Sequence, residues 1–187
     1  MTDSLYSLKP FADGQNGVQT IDCRLGGLEQ NQLHFTYVAK GNIGRLRLPA
    51  KSLPRRADRL WQHTCFEAFV RVAGDPSYYE FNFSPSGNWA AYWFRAYRDG
   101  RPLPDQCGSP EIVVRCEADR IELDAVVRLD SLSSIHPGPT LRLGLSAVIE
   151  ANDGTLSYWA LKHPGAKPDF HHPDSFALEL AFPSQGA

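Results

Sequence analysis

Three consecutive segments in the first half of the chain carry an unusual mixture of polar and aromatic side chains at alternating positions. They are WQHTCFEAFVRV, YYEFNFSPSG and NWAAYWFRAY. Alternate side chains of an extended strand point to the same face. The first two segments therefore place Glu67, Glu80 and Asn82 opposite an apolar set. The third segment is interpreted as adding Trp93 and Arg95 to that polar face.

This mixture of side chains suits a sugar or another polyol. Indole rings stack on the apolar C–H face of a pyranose, while carboxylate, amide and guanidinium groups pair with its hydroxyls. The sequence therefore predicts a small carbohydrate-like ligand bound by Glu67, Asn82, Trp93, Arg95 and Trp159. The alternative is structural: Glu67 and Arg95 form an ordinary salt bridge, and Trp89 or Trp93 covers the edge of the sandwich.

A second concentration of polar side chains is the segment HPGAKPDFHHPD near the C-terminus. Within it, His163, Asp169 and His171 are the candidate ligands for zinc or another divalent metal. Their spacing matches no specific metal motif, and the prolines favour a fixed loop whose histidines are hydrogen-bonded to backbone. We therefore expect no bound metal or other cofactor.

Catalytic motifs are missing from the sequence. It has no nucleophile elbow, no phosphate-binding glycine loop and no HExxH. Glu67 and Glu80 could form the carboxyl pair of a glycosidase, which needs a defined separation that sequence does not supply. Because paired carboxylates on a sheet more often bind than cut, the sequence predicts a noncatalytic domain.

Strand patterns dominate the rest of the chain, and most of them alternate with period two. Short turns rich in Gly, Pro, Asp and Asn separate them, which indicates antiparallel pairing. Without helical crossovers, the pattern predicts an all-β fold, an antiparallel two-sheet β-sandwich of jelly-roll type. The ten predicted strands are residues 18–25, 32–39, 63–73, 78–84, 88–97, 111–117, 120–129, 141–151, 157–161 and 175–182.

Length and charge limit the classes of protein and partner. The 187 residues fit one domain, with its core at about residues 15–182. A net charge of −2 gives no reason to expect nucleic acid or an anionic membrane as partner. No apolar run reaches the roughly 20 residues that span a bilayer, and the N-terminus lacks a signal-peptide pattern. We expect a cytoplasmic protein with a small-molecule ligand.

The four cysteines are scattered along the chain without a CxxC pair. They are Cys23, Cys65, Cys107 and Cys116. Isolated cysteines in strand-like segments usually act as small buried apolar residues. The sequence therefore predicts free, structural thiols.

Three quoted segments carry a family resemblance: LWQHTCFEAFV, YYEFNFSPSGNWAAYWFRAYR and YWALKHPGAKPDFHHPDSF. Together they resemble the DOMON-like proteins of bacteria, which are related to the family 9 carbohydrate-binding modules. The resemblance implies a jelly-roll sandwich that binds sugar or haem at one face or end, generally without catalysis. In the carbohydrate-binding relatives, tryptophans clamp a sugar and polar strand residues hydrogen-bond to it. The implied counterparts here are Glu67, Trp93, Arg95 and Trp159.

The sequence lacks one of the haem ligands that this resemblance would imply. Cytochrome-type DOMON domains use a methionine and a histidine as axial ligands, and the only methionine here is Met1. Ligation by two histidines stays open, with His63 paired with His163 or His171. A haem- or metal-binding sandwich and a protein-interaction module with exposed aromatic residues are therefore the alternatives. The sequence leaves the oligomeric state open.

Overall fold

The computed structural model describes residues 4–12, 17–29, 31–104, 109–132, 134–135 and 140–181. No helix in these ranges is long and apolar enough to cross a membrane. Three short 3-10 turns accompany the strands, at Ile43–Arg45, Leu60–Gln62 and Pro173–Ser175. The strands are β1 (Ser4–Pro10), β2 (Val18–Glu29), β3 (Gln32–Gly41), β4 (Cys65–Val72), β5 (Tyr78–Phe83), β6 (Trp89–Ala96), β7 (Asp99–Pro102), β8 (Glu111–Cys116), β9 (Arg120–Arg128), β10 (Leu141–Glu150), β11 (Leu156–Ala160) and β12 (Leu178–Leu180).

The strands form two antiparallel sheets that share β1. The first sheet has the order β8-β9-β3-β2-β1, and the second has the order β7-β6-β5-β4-β10-β11-β1. β1 pairs with β2 through residues 4–8 and with β11 through residues 9 and 10, so it passes from one sheet to the other. β12 pairs with β10 beyond the end of β11. The predicted all-β, antiparallel two-sheet sandwich is confirmed.

Each of the ten predicted strands has a counterpart, whereas β1 and β7 were not predicted. Both of the missed strands are largely exposed, and each contains a proline. Neither strand therefore has the alternation of apolar and polar residues by which a half-buried strand is recognised.

Aromatic residues fill the space between the sheets. Phe35 of the first sheet packs against Phe83 of the second with their ring centroids 6.2 Å apart. Tyr37 packs against Phe66 at 5.2 Å, and its hydroxyl donates to the backbone carbonyl of Glu67 at 2.7 Å. This buried hydrogen bond satisfies the only polar atom of the Tyr37 side chain and ties the two layers together.

The second sheet is covered on its outer face as well. Residues 161–177, which we call the cover segment, lie across that face, and Phe176 packs edge-on against Phe69 at 6.0 Å. The approach is close: a Cβ on Gly144 would lie 3.1 Å from the Ser175 carbonyl oxygen. Burial on both faces explains why every residue of β5 is buried.

The cysteines in the described ranges are free thiols. Cys65 is buried, as its strand-like segment predicts, and Cys23 is buried too. The same expectation for Cys116 is wrong, because β8 is an edge strand and this thiol is exposed. Cys107 lies outside the described residues.

Candidate functional site

A cavity of about 390 Å³ lies between the outer face of the second sheet and the cover segment. The sheet supplies its floor, while the turn before β4, the β6–β7 turn and the cover segment supply its walls. Eleven residues line it: Trp61, Glu67, Glu80, Tyr92, Phe94, Arg98, Val148, Tyr158, Pro168, Phe170 and His171.

Two carboxyl groups lie on the floor of the cavity. Glu67 of β4 is 2% exposed and Glu80 of β5 is 5% exposed. The Ser146 hydroxyl donates to Glu67 Oε2 at 3.2 Å, and the Asn82 amide donates to Glu80 Oε1 at 2.6 Å. β4 pairs with both β5 and β10, and the register sets Glu67 opposite Asn82 on one side and Ser146 on the other. The sheet thus gives each carboxyl a neutral donor.

Burial makes both carboxyls weak acids. Desolvation raises the pKa of Glu80 to about 7, although the Asn82 hydrogen bond and the charge of Arg98 oppose this. Desolvation, and then repulsion from Glu80, raises the pKa of Glu67 well above its ordinary value. Since the two groups interact, their protons leave in steps that belong to the pair. The floor can therefore both donate and accept hydrogen bonds near neutral pH.

Aromatic residues line the cavity on two sides. Beside β6, the Trp61 ring meets Tyr92 edge-on at 5.8 Å, and the Tyr92 hydroxyl donates to Asp58 Oδ1 at 2.8 Å. Beside β11, Tyr158 packs against Phe170 of the cover segment at 6.2 Å. β5, β4 and β10 separate these two pairs, so the carboxyls lie between them.

His171 reaches the cavity from the cover segment and is held by aromatic residues. Its ring lies edge-on to Phe94 at 5.0 Å, and its Nδ1 is 2.8 Å from the Tyr78 hydroxyl. Its Nε2 lies 3.7 Å from Glu80 Oε2. Burial, and then the charge of Arg98, lowers the pKa of His171 to about 4, so the ring is neutral at pH 7.

Two arginines near the cavity have left-handed backbone conformations. Arg98 has a φ of 56° and lines the cavity, and Arg59 has a φ of 62° just before the turn that carries Trp61. Asp169 holds the Arg98 guanidinium at 2.8 Å. Because left-handed backbone is unfavourable for residues with a side chain, such positions concentrate at functional sites.

The structure brings two of the five predicted site residues to the cavity. Glu67 lines it directly. Asn82 is fully buried beside it and contacts the cavity through Glu80. Both lie on the outer face of the second sheet, as the alternation in β4 and β5 predicts.

The predicted positions of Trp93, Arg95 and Trp159 on that face are wrong. Trp93 pairs with Tyr79, packs against the core between the sheets and stacks under the Arg101 guanidinium at 5.1 Å. Arg95 lies in the exposed β6–β7 hairpin. Its guanidinium contacts Asp99 at 2.6 Å, so the predicted alternative of a Glu67–Arg95 salt bridge does not form either.

Trp159 is 4% exposed and belongs to the core between the sheets. It pairs with Ala147, whereas the cavity-facing neighbours on these strands are Val148 and Tyr158. In both β6 and β11, the residue that reaches the cavity is therefore next to the tryptophan that was predicted to do so.

The sequence interpretation missed several lining residues: Trp61, Tyr92, Phe94, Arg98, Tyr158 and Phe170. The hairpin register could have identified two of them. Because Asn82 pairs with Ala90, Glu80 must pair with Tyr92 and Tyr78 with Phe94. Arg98 and Phe170 lie on a turn and a loop, where strand alternation gives no information.

Each of the three candidate metal ligands has another partner. His163 Nε2 lies 2.8 Å from the Lys9 carbonyl oxygen, and Asp169 pairs with Arg98. His171 contacts Tyr78, while His63 pairs with Glu150 at 2.7 Å. Within the described ranges, no group of three or more His, Cys, Asp or Glu side chains is arranged to hold a metal ion. The metal and haem alternatives thus stay predictions from the sequence.

Comparisons with known proteins give structural neighbours only. No family model matches the chain, and no curated protein matches it in sequence. A protein from Bacteroides uniformis ATCC 8492, provisionally assigned as carbohydrate-binding, aligns with a TM-score of 0.70 and 16% identity. That alignment covers 97% of this chain and 87% of the other.

A family 9 carbohydrate-binding module from Caldicellulosiruptor kristjanssonii is a second structural neighbour. Its complex with glucose aligns with a TM-score of 0.62 and 10% identity, over 98% of this chain and 86% of the module. Its complex with cellotriose gives the same TM-score and identity, over 98% and 85%. At such identities the likeness establishes the fold. This chain therefore has the sandwich fold of the family 9 carbohydrate-binding modules.

Proposed function

We propose that this protein is a noncatalytic saccharide-binding domain whose site is the cavity on the outer face of the second sheet. One observation carries the proposal: two buried carboxyls lie between aromatic pairs in a single cavity. A pyranose offers an apolar C–H face to aromatic rings and a rim of hydroxyls to polar groups. The lining residues complement both parts.

The size and the protonation of the cavity support a small, hydroxyl-rich ligand. A volume of about 390 Å³ is within the range of pockets that enclose small molecules. A protonated Glu67 can donate to a ligand hydroxyl, while Glu80, when ionised, accepts from one. One donor and one acceptor side by side suit hydroxyl groups, because a hydroxyl both donates and accepts hydrogen bonds.

The structural neighbours add independent support. The module from Caldicellulosiruptor kristjanssonii has the same fold over 98% of this chain, and its structures contain glucose and cellotriose. Saccharides of this kind are therefore the first ligands to test.

The same carboxyls are less suited to hydrolysis. Glycosidases divide the roles between an ionised carboxylate and a protonated acid, and their environments separate the two pKa values. Here burial raises the pKa of both Glu67 and Glu80. This supports binding without catalysis.

Calorimetric titration with glucose, cellobiose and cellotriose tests the proposal, with tryptophan fluorescence as a second readout. Trp61 is 40% exposed in the cavity wall, so its emission should change when a ligand binds. We expect Trp61→Ala to weaken binding by more than about tenfold, as truncation of a central aromatic contact typically does.

Trp93→Phe is the matched control, because Trp93 packs on the opposite face of the same sheet. It should leave the affinity and the fluorescence response unchanged. The proposal is wrong if no saccharide in the panel binds, or if both tryptophan variants weaken binding equally.

A further inference from the structure

The floor carboxyls of the cavity have no cationic side chain as partner. Among the described residues, no Lys, Arg or His nitrogen lies within 4 Å of the Glu67 carboxyl, and His171 is the one such neighbour of Glu80. Their hydrogen bonds come from Ser146 and Asn82, which are neutral donors. Buried carboxylates are normally paired with a cation, so the positive partner is missing from the described chain.

His171 does not supply that positive charge. Its Nδ1 lies 2.8 Å from the Tyr78 hydroxyl, which also accepts from the Arg98 backbone N–H at 3.1 Å. Burial, and then the charge of Arg98, lowers the pKa of His171 to about 4, so the ring is neutral at pH 7. His171 can therefore hydrogen-bond near Glu80 without neutralising its charge.

Arg98 lowers the pKa of Glu80, but its charge is shared with another carboxylate. Its Nη2 lies 2.8 Å from Asp169 Oδ1, and its Nε donates to the Tyr97 hydroxyl at 3.2 Å. It is the one Lys or Arg among the residues that line the cavity, and the ion pair with Asp169 already compensates its charge.

The walls of the cavity also suit a cation. Trp61, Tyr92 and Phe94 line it near β6, and Tyr158 and Phe170 line it near β11. The negative faces of aromatic rings attract ammonium groups, most strongly where water is excluded. Walls and floor thus favour the same charge.

We propose that the cavity selects amino sugars, with the protonated amine of the ligand beside Glu67 and Glu80 and its pyranose ring against the aromatic walls. This inference rests on the proposed saccharide-binding function and specifies its ligand class. The ammonium group supplies the cation that the described chain does not place there.

The acid–base state of the empty cavity gives the selectivity a pH dependence. Seven groups lie near Glu80 and interact with it: Asn82, Tyr92, Arg98, His171, Glu67, Tyr78 and Cys65. None of them is a cation free of its own partner, and burial raises the pKa of Glu80 to about 7. An ammonium ligand must displace the proton, so its affinity should rise between pH 5 and pH 7.

Calorimetric titration of the full-length protein with glucose, glucosamine and N-acetylglucosamine tests the selectivity. At pH 7 we expect glucosamine to bind about tenfold more tightly than the other two, as expected for one hydrogen bond between charged groups. The ratio of glucosamine to glucose affinity should fall at pH 5. N-Acetylglucosamine controls for charge, because its nitrogen belongs to a neutral amide.

Two isosteric variants extend the test. Glu80→Gln keeps an acceptor for Asn82 but not the charge, and it should bring the ratio of glucosamine to glucose affinity near one. Glu117→Gln, on the exposed turn before β9, makes the same change in net charge far from the cavity and should leave the ratio unchanged.

The outcomes separate the two proposals. If glucose binds as tightly as glucosamine, or more tightly, the amine selectivity is wrong and the saccharide-binding function stands. If none of the three sugars binds and neither does cellotriose, both proposals are wrong. The titrations of the unmodified protein decide this even if Glu80→Gln does not fold.

Discussion

The outer faces of the two sheets carry the same kinds of charged side chain in opposite surroundings. On the first sheet, Arg115 Nη1 lies 2.7 Å from both Glu122 and Asp124, and the side chains of all three are open to water. On the second sheet, Glu67 and Glu80 are buried with neutral donors. Exposed ion pairs contribute little to stability, whereas a buried carboxyl without a cation costs free energy. The difference agrees with our proposal that the carboxyls of the second face bind a ligand.

The largest expected effect is on the pH dependence of stability at Glu80. Its pKa is raised in the folded protein, so the folded state loses stability as the pH rises from about 4.5 to about 7. Glu80→Gln removes this loss. Relative to the unmodified protein, the variant should gain about 3 kcal/mol in unfolding free energy between pH 4 and pH 8.

Urea denaturation at the two pH values measures this gain. Glu122→Gln on the first sheet is the control, and it should change the unfolding free energy by less than about 1 kcal/mol at either pH. If the two variants change the unfolding free energy equally at both pH values, the proposed difference between the two faces is wrong.

The second effect acts in the acidic range through His171. Its pKa is lowered to about 4 in the folded protein, so stability is lost as the pH falls from about 6.5 toward 4. His171→Gln keeps a polar group near Tyr78 without the charge. Between pH 7.5 and pH 4 the variant should gain about 3 kcal/mol relative to the unmodified protein. Thermal unfolding across this pH range measures the gain. If the variant and the unmodified protein lose stability in parallel, His171 does not have a lowered pKa.

A smaller effect is expected when a single hydrogen bond is removed, either at the cavity or on the outer face of the first sheet. Tyr92→Phe removes the bond to Asp58, and Thr36→Val removes the bond to Asp124 on the first sheet. Each should lower the unfolding free energy by about 1 kcal/mol. Only Tyr92→Phe should also weaken saccharide binding, because Tyr92 supports Trp61. An affinity loss in Thr36→Val would show that the change acts through general stability.

The smallest effect is expected at Arg115. Arg115→Ala breaks both ion pairs of the first sheet, yet the loss of stability should be smaller than that of Thr36→Val because these groups are solvated. The cost should shrink further in high salt. A salt-independent loss larger than this would mean that the two faces differ less than their burial suggests.

The sequence predicted the sandwich well because half-buried strands leave a clear signal. In β9, Ile121, Leu123, Ala125 and Val127 are buried and alternate with more exposed residues. β3 shows the same contrast. Such strands can be recognised, and assigned to a face, from the sequence alone.

The site was harder to predict because the second sheet is buried on both faces. In β6, the set with Trp89 and Trp93 and the set with Tyr92 and Phe94 are both apolar enough to pack inward. The exposed Arg95 near the end of the strand suggested the wrong set. The pairing of Glu80 with Tyr92 shows which of the two sets faces the cavity. That pairing depends on the geometry of the turn between β5 and β6.

Backbone-amide chemical-shift mapping by NMR tests the central claim most directly. On addition of glucosamine, glucose or cellotriose, shifts should concentrate in residues 59–67, 78–82, 92–98 and 156–172, which surround the cavity. Residues 111–128 of the first sheet should not respond. Shifts centred on the first sheet, or no shifts with any of the three sugars, would contradict the account.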